Sequence, residues 1–189
     1  MTKGELRAYY RDVRMSMTAA DISLFNVRIL SHLLRMDWRG VEYVHCFLPI
    51  VRHKEPDMWA FMETLQEQYP DIKIVVSRSS SADFSMANFL FSKDLLLCEN
   101  KWGILEPIDG ERVDESLLDV VLVPLLVADQ RGNRVGYGKG FYDRFLVRCR
   151  PDCIKVGVTY FDPVDKIDDV DAWDIPLNQL ITPSSVYRF

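Results

Sequence analysis

The chain has 189 residues, 48% hydrophobic and 27% charged, enough for one ordinary globular domain spanning residues 1–189. Its net charge of −5 excludes a general binder of nucleic acid or anionic membrane, which needs a basic surface, so basic residues matter only where they cluster. No segment is apolar for long enough to cross a bilayer, and the N-terminal stretch MTKGELRAYYRDVR is too charged for a signal peptide, so a cytoplasmic location is expected.

Thr2 and Glu5 have the spacing of a capping box, and Leu6, Tyr9, Tyr10 and Val13 follow at helical intervals. Lys3 and Arg7 lie four apart on one face of that helix; alone, the pair reads as a solvated basic edge. A second helix is predicted from Thr18 to about Met36, with Ile22, Phe25, Ile29 and Leu33 as its buried stripe. Val41 to Ile50 reads as a strand entering the charged loop Val51 to Glu55. In open α/β sheets ligands bind at that end of the strands, so His53 and Glu55 are candidates, although water is the plainer destination for each. Pro56 and Asp57 suit the first turn of a helix from Met58 to about Gln68. Ile72 to Val76 is a buried-type strand leading to Ser77, Arg78 and a serine-rich turn; Asn88 to Phe91 suits an edge strand, and Lys101 to Pro107 reads as irregular.

Asp119 to Arg150 forms the centre of the chain: DVVLVPLLVADQRGNRVGYGKGFYDRFLVRCR. An apolar strand is followed by a turn at Gly132 and Asn133, then by Gly136, Gly138 and Gly140 alternating around Tyr137 and Lys139. Phe141 opens a helix in which Phe141, Phe145 and Cys149 are expected to share a face. Alternate glycines uncover backbone N–H groups, and a helix start adds more, so the stretch suits an anion; a tight structural turn is the plainer alternative. It is neither a Walker A loop nor a dinucleotide fingerprint, because Gly140 stands where the first needs Ser or Thr and Phe141 where the second needs glycine. Arg134, Lys139 and Arg144 surround the loop.

Ile154 to Tyr160 is a further strand. The aspartates at 162, 165, 168, 169, 171 and 174 fail the EF-hand pattern and read mostly as water-facing. Leu180 to Thr182 and Val186 to Phe189 are expected to close a sheet that is mostly parallel, with helices on both faces. Cys46 and Cys98 lie in apolar surroundings, and Cys149 and Cys153 lack the partners of a zinc site, so buried, reduced thiols are expected.

Asp129, Gly132, Arg134, Gly136, Gly138, Lys139, Gly140, Tyr142, Asp143, Arg144 and Leu146 together form a long, specific pattern that resembles the 5-formyltetrahydrofolate cyclo-ligase family, also called methenyltetrahydrofolate synthetases. The resemblance extends to Lys3 with Arg7, to Glu55, to Arg78, to Trp102 through Glu106 and Pro107, and to Asp174. It implies a three-layer, Rossmann-like α/β domain. The implied reaction is ATP-dependent, magnesium-requiring conversion of 5-formyltetrahydrofolate to 5,10-methenyltetrahydrofolate, through phosphorylation of the formyl oxygen and ring closure by N10. The implied ATP site is Lys3, Arg7, Arg134, Val135, Gly136, Tyr137, Gly138, Lys139, Gly140, Phe141 and Tyr142, with Arg134, Lys139 and Tyr142 catalytic. Ile50 and Glu55, with Tyr137 to Phe141, would hold the folate, and Asp143 and Asp174 the magnesium.

The implied partners are small molecules only, ATP and the folate, and a monomer is expected. Leu125 and Ala128 stand where relatives carry Gly and an aromatic, Phe141 replaces a more usual Tyr, and Trp173 replaces a polar residue. The first two departures are expected to alter the wall of the folate or adenine pocket. Two other functions fit the same architecture: a non-catalytic reduced-folate binder and a different enzyme with a phosphate-bearing ligand.

Overall fold

The computed structural model describes residues 1–100 and 103–189; Lys101 and Trp102, and with them the start of the segment read as irregular, lie outside the described residues. Two helices open the chain, α1 (Lys3–Ser16) and α2 (Ala19–Leu34), each begun by a complete capping box. Thr2 accepts from the Glu5 N–H and Glu5 from the Thr2 N–H; Thr18 and Asp21 repeat the arrangement. Strand β1 (Tyr43–His45) is shorter than the predicted Val41 to Ile50. Cys46 still donates to Val75, but the chain then leaves the ladder, Pro49 having no N–H to contribute. After one 3-10 turn at Val51–His53, α3 (Trp59–Gln68) begins later than Pro56, with Asp57 accepting from the Trp59 N–H at 2.9 Å.

Strands β2 (Lys73–Ser79) and β3 (Met86–Leu90) follow, then β4 (Leu97–Glu99) and β5 (Leu105–Pro107), a small antiparallel pair whose second strand lies in the segment read as irregular. The central unit supplies β6 (Val120–Pro124), β7 (Val127–Ala128), β8 (Arg134–Val135) and α4 (Phe141–Leu146). The β7–β8 hairpin is an addition to the expected strand, turn and loop. It is closed by Asp129, fully buried, whose carboxylate accepts from the Arg131, Asn133 and Ile167 N–H groups. Helix α4 has six residues and ends before Cys149, because Pro151 forbids continuation; the expected shared face therefore reduces to Phe141 and Phe145. Strands β9 (Ile154–Val158), β10 (Gln179–Ile181) and β11 (Val186–Arg188) complete the chain.

The main sheet has seven strands in the order β11-β10-β9-β6-β1-β2-β3, parallel except for the two edges, where β11 and β3 run antiparallel to their neighbours. Successive side chains of a strand face opposite layers, so Val120 and Leu122 pack under α2 and α3 with Ile29, Leu33, Phe61 and Leu65. Val121 and Val123 face the other way, onto Phe145 and Leu146 of α4. A ten-residue helix such as α3 is too short to persist in isolation; burial of Phe61, Met62 and Leu65, each worth about 1.5–3 kcal/mol, holds it. The expected α/β class with a mostly parallel, helix-flanked sheet is thus observed. Among the described residues no helix is long and apolar enough to cross a membrane.

Two expectations change. Cys46, Cys149 and Cys153 are buried free thiols, but Cys98 is exposed, since β4 lies outside the main sheet. The tail aspartates do more than face water. Asp168 pairs with the Met1 ammonium at 2.6 Å, Asp169 accepts from the Lys3 N–H at 2.5 Å, and Asp174 pairs with the Lys3 ammonium. These contacts pin the start of α1 against the C-terminal segment.

Candidate active site

A cavity of about 770 Å³ opens where β1 and β2 give way to their loops, next to the loop before α4. Its floor is set by parallel strands, its rim by segments far apart in sequence. From α1 come Lys3 and Arg7; from the loop after β1, Ile50, His53 and Glu55; from the glycine loop, Gly136 to Gly140; from α4, Phe141, Tyr142 and Asp143; from the tail, Asp174.

The glycine loop is held open by backbone geometry. Gly138 and Gly140 have φ of +85° and +68°, a region that side-chain-bearing residues avoid. At Gly138 a Cβ would stand 3.2 Å from the guanidinium carbon of Arg7, so its absence lets Arg7 lie against the loop and donate to the Gly136 carbonyl at 2.9 Å. Among the described residues the N–H groups of Gly138, Lys139 and Gly140 have no backbone acceptor. Arg144, expected beside the anion, instead clamps the loop from outside, donating to the Lys139 and Gly140 carbonyls at 3.1 Å each.

The cations are unequally compensated. Lys3 pairs with Asp174; burial opposes its charge, but the hydrogen bond and charge of Asp174 prevail and hold its ammonium above the ordinary range. Arg134 is 8% exposed, donates to the Ile175 carbonyl and pairs with Asp143; burial lowers its pKa while Asp143 opposes that effect. Arg7 and Lys139 have no carboxylate partner among the described residues, and Lys139 is exposed. Of the four cations named from sequence, two are therefore already matched by candidate metal-binding carboxylates and two are not; Arg52 adds a fifth to the lining.

Glu55 is 6% exposed rather than solvated. One carboxylate oxygen accepts from the Ile50 N–H at 2.7 Å and the other from the Tyr137 hydroxyl. Burial pushes its pKa up, against the pull of those two bonds and of Arg14. His53, read as a surface residue, lines the cavity with its ring centroid 5.2 Å from that of Tyr137, and burial beside three arginines lowers its pKa. Tyr142 sits deep in the wall, and burial raises its phenol well above the ordinary value. His45 lies beneath, fully buried, with Nε2 2.8 Å from the Ser77 hydroxyl and its pKa lowered to about 4 by burial.

All but one of the residues named from sequence for nucleotide, folate or metal line this cavity. The exception is Val135, whose fully buried side chain packs with Leu6, Val127 and Ile167; β8 is a hairpin strand and turns it inward. Leu125 and Ala128 also lie in the core, at 1% and 0% exposure, so they do not form the pocket wall expected of them. Arg78 ties β2 to the carbonyls of Pro107 and Ile108 outside the cavity, whereas Glu106 lines it, accepting from the Ser79 N–H at 2.9 Å. Trp173 is 84% exposed beside Asp174. Unforeseen wall residues include Phe47, Leu48, Phe84 and Met86. The serine-rich turn carried the only local hint of Phe84, which joins Phe141 with ring centroids 5.6 Å apart.

A profile of the 5-formyltetrahydrofolate cyclo-ligase family matches residues 1–183. The chain belongs to that family. It is 31% identical over 113 residues to a probable 5-formyltetrahydrofolate cyclo-ligase of Schizosaccharomyces pombe, covering 52% of this chain and 55% of the relative. It is 36% identical over 118 residues to the 5-formyltetrahydrofolate cyclo-ligase of Escherichia coli, covering 56% and 62% respectively. The matched stretches thus span little more than half the length of these two relatives. The NMR structure of the Aquifex aeolicus 5,10-methenyltetrahydrofolate synthetase superposes with a TM-score of 0.84 at 28% identity, covering 100% of this chain and 93% of that one. The fold shared with that synthetase accordingly extends over the whole chain.

Proposed function

We infer that this cyclo-ligase family member converts 5-formyltetrahydrofolate to 5,10-methenyltetrahydrofolate at the expense of ATP. The observation that carries the reading is the meeting, in one cavity, of an N–H-rich glycine loop, four of the cavity's five cations and the buried Glu55 carboxylate. Lys3, Arg7, Arg134 and Lys139 line the cavity with the loop, and Glu55 lines it as well, hydrogen-bonded to Tyr137 of that loop. A triphosphate suits the first group and a polar, ring-bearing folate the second, with Phe47, Phe84 and Phe141 as apolar walls.

The chemistry explains why both are needed. A formamide oxygen is a poor leaving group. Its attack on the γ-phosphorus breaks the bond to ADP and converts the oxygen to a phosphate ester; the N10 lone pair then attacks the former formyl carbon, phosphate departs with the C–O bond pair, and N10 loses its proton. Phosphoryl transfer requires positioning and charge neutralisation more than covalent help from the protein. Lys139 and Arg7, without a carboxylate partner among the described residues, are placed to meet phosphate oxygens first, with the loop N–H groups beside them. Glu55, fixed by Ile50 and Tyr137, would orient the folate near its formyl group. Asp143 and Asp174 fit magnesium by donor type, since that ion prefers oxygen ligands and takes few from protein; when bound it would neutralise phosphate charge. Both carboxylates are partnered by cations, so Arg134 and Lys3 are in turn available to phosphate when the carboxylates are otherwise engaged.

The test is direct: purified protein with ATP, magnesium and 5-formyltetrahydrofolate should generate the methenyl absorbance with stoichiometric ADP. No absorbance change beside an active control enzyme would refute the reading. Tight folate binding without ADP release would point to a binding protein instead.

A further inference from the structure

Arg14 belongs to none of the sequence patterns that mark the site, yet it is 2% exposed, among the most buried side chains in the molecule. It occupies the far end of the α1 face that carries Lys3 and Arg7, eleven positions beyond Lys3 and so about three turns along. Its Nη2 donates to the Tyr137 hydroxyl, and its guanidinium carbon lies 5.5 Å from the centre of that ring. The same hydroxyl donates to Glu55. Since a phenol has one proton to donate, the chain of donors runs in one direction, Arg14 to Tyr137 to Glu55.

A packing role does not account for this residue. Burying a guanidinium costs several kcal/mol unless its donors are met, and the Arg14 Nε has no hydrogen-bond partner among the described residues. An apolar side chain would serve the core better. What the guanidinium offers is a positive charge opposite a buried carboxylate. Among the described residues the other groups facing Glu55 do not supply one: Tyr137 and Tyr142 are phenols, Tyr160 donates to the Glu55 backbone carbonyl at 3.2 Å, and burial lowers the pKa of His53. The geometry is braced by Lys54, on the Glu55 loop, whose ammonium donates to the Met15 and Met17 carbonyls at 2.6 and 2.8 Å at the end of α1.

We propose that Arg14 is a positioning residue for the folate half of the site: through the Tyr137 hydroxyl it aims the Glu55 carboxylate and supplies its countercharge. The role in turnover rests on the cyclo-ligase reading; the Arg14-to-Glu55 coupling does not. Without Arg14, the buried Glu55 is expected to take up a proton at higher pH, and the hydroxyl of Tyr137 is free to turn away.

Two measurements separate the coupling from the function. The first is the ionisation of Glu55 in the free protein, followed by carboxyl-carbon NMR in the wild type, Arg14→Met and Arg14→Lys, with Glu55→Gln assigning the signal. The midpoint should rise by about one pH unit or more in Arg14→Met and by less in Arg14→Lys, which keeps the charge. An unchanged midpoint in folded Arg14→Met overturns the proposal, whatever the activity. The second is steady-state turnover across pH. The KM for 5-formyltetrahydrofolate should rise about tenfold in Arg14→Met, with its acid limb displaced to higher pH and the KM for ATP unchanged. Equal increases in both KM values would indicate general distortion and count against the proposal. If Arg14→Met does not fold, Tyr137→Phe breaks the same relay while keeping both ends, and the Glu55 midpoint must again move; a fixed midpoint refutes it.

Discussion

Asp143 is asked to do two things, and Asp143→Asn separates them. Its carboxylate pairs with Arg134, whose side chain is 6% exposed, and also accepts from the Ile175 N–H at 3.3 Å. Breaking a fully buried ion pair by removing one charge costs about 3–5 kcal/mol, because the survivor is left uncompensated. Asp143 is 32% exposed, and an asparagine oxygen can still accept from Arg134, so the expected loss is smaller, about 2 kcal/mol. For a chain of this size that corresponds to a fall in Tm of about 4–8 °C, measured by calorimetry without nucleotide. The control is the same substitution in an Arg134→Met background, where no buried charge remains to be stranded and the additional loss should be under about 0.5 kcal/mol. An equal loss in both backgrounds would refute the argument from pairing. Activity is then read well below both melting temperatures: Asp143→Asn should be impaired and partly restored by raised magnesium. Activity like that of the wild type would remove Asp143 from the metal site while leaving the stability argument intact.

Lys139→Ala should raise the Kd for ATP about tenfold or more while changing unfolding free energy by under about 0.5 kcal/mol, because the side chain is exposed; titration calorimetry with an unchanged Kd would show the loop has been misread. His45 gives a pH dependence of stability. Its pKa is about 4 in the fold against an ordinary 6.5, so between those values the unfolded chain binds more protons than the native one. Stability is therefore fully present above pH 6.5 and is lost as pH falls towards 4, by up to about 3 kcal/mol for this group. Glu55, whose pKa is raised, contributes a slope of opposite sign, so the comparison is made against His45→Gln by urea denaturation from pH 4 to 7. Identical slopes in the two proteins would exclude His45 as the source.

Signals that act over a few residues translate directly into structure in this chain. The capping boxes at Thr2 and Thr18 start α1 and α2 as expected, because a cap is a contact between residues three apart. The apolar run at Val120 to Pro124 is the central strand, since a strand covered on both faces cannot alternate. Alternating glycines make an open loop because φ at Gly138 and Gly140 is a property of single residues. The family pattern concentrates in this same stretch, so the proposed phosphate side of the site is legible in the order of the residues alone.

The proposed folate side is decided by tertiary structure. Glu55 is met by the Tyr137 hydroxyl, 82 positions away, and Arg14 reaches Tyr137 across 123 positions. Phe84 and Met86 become walls because β3 pairs back onto β2, and Leu125 and Ala128 leave the pocket because the β7–β8 hairpin folds their side of the chain into the core. The family resemblance names the cations Lys3, Arg7, Arg134 and Lys139 from sequence, but the compensation of Lys3 by Asp174 and of Arg134 by Asp143 depends on distances set by sheet order and the pinned start of α1. Residue type supplies a charge; its partners and its exposure, which set what that charge can do, exist only once the chain has closed around it.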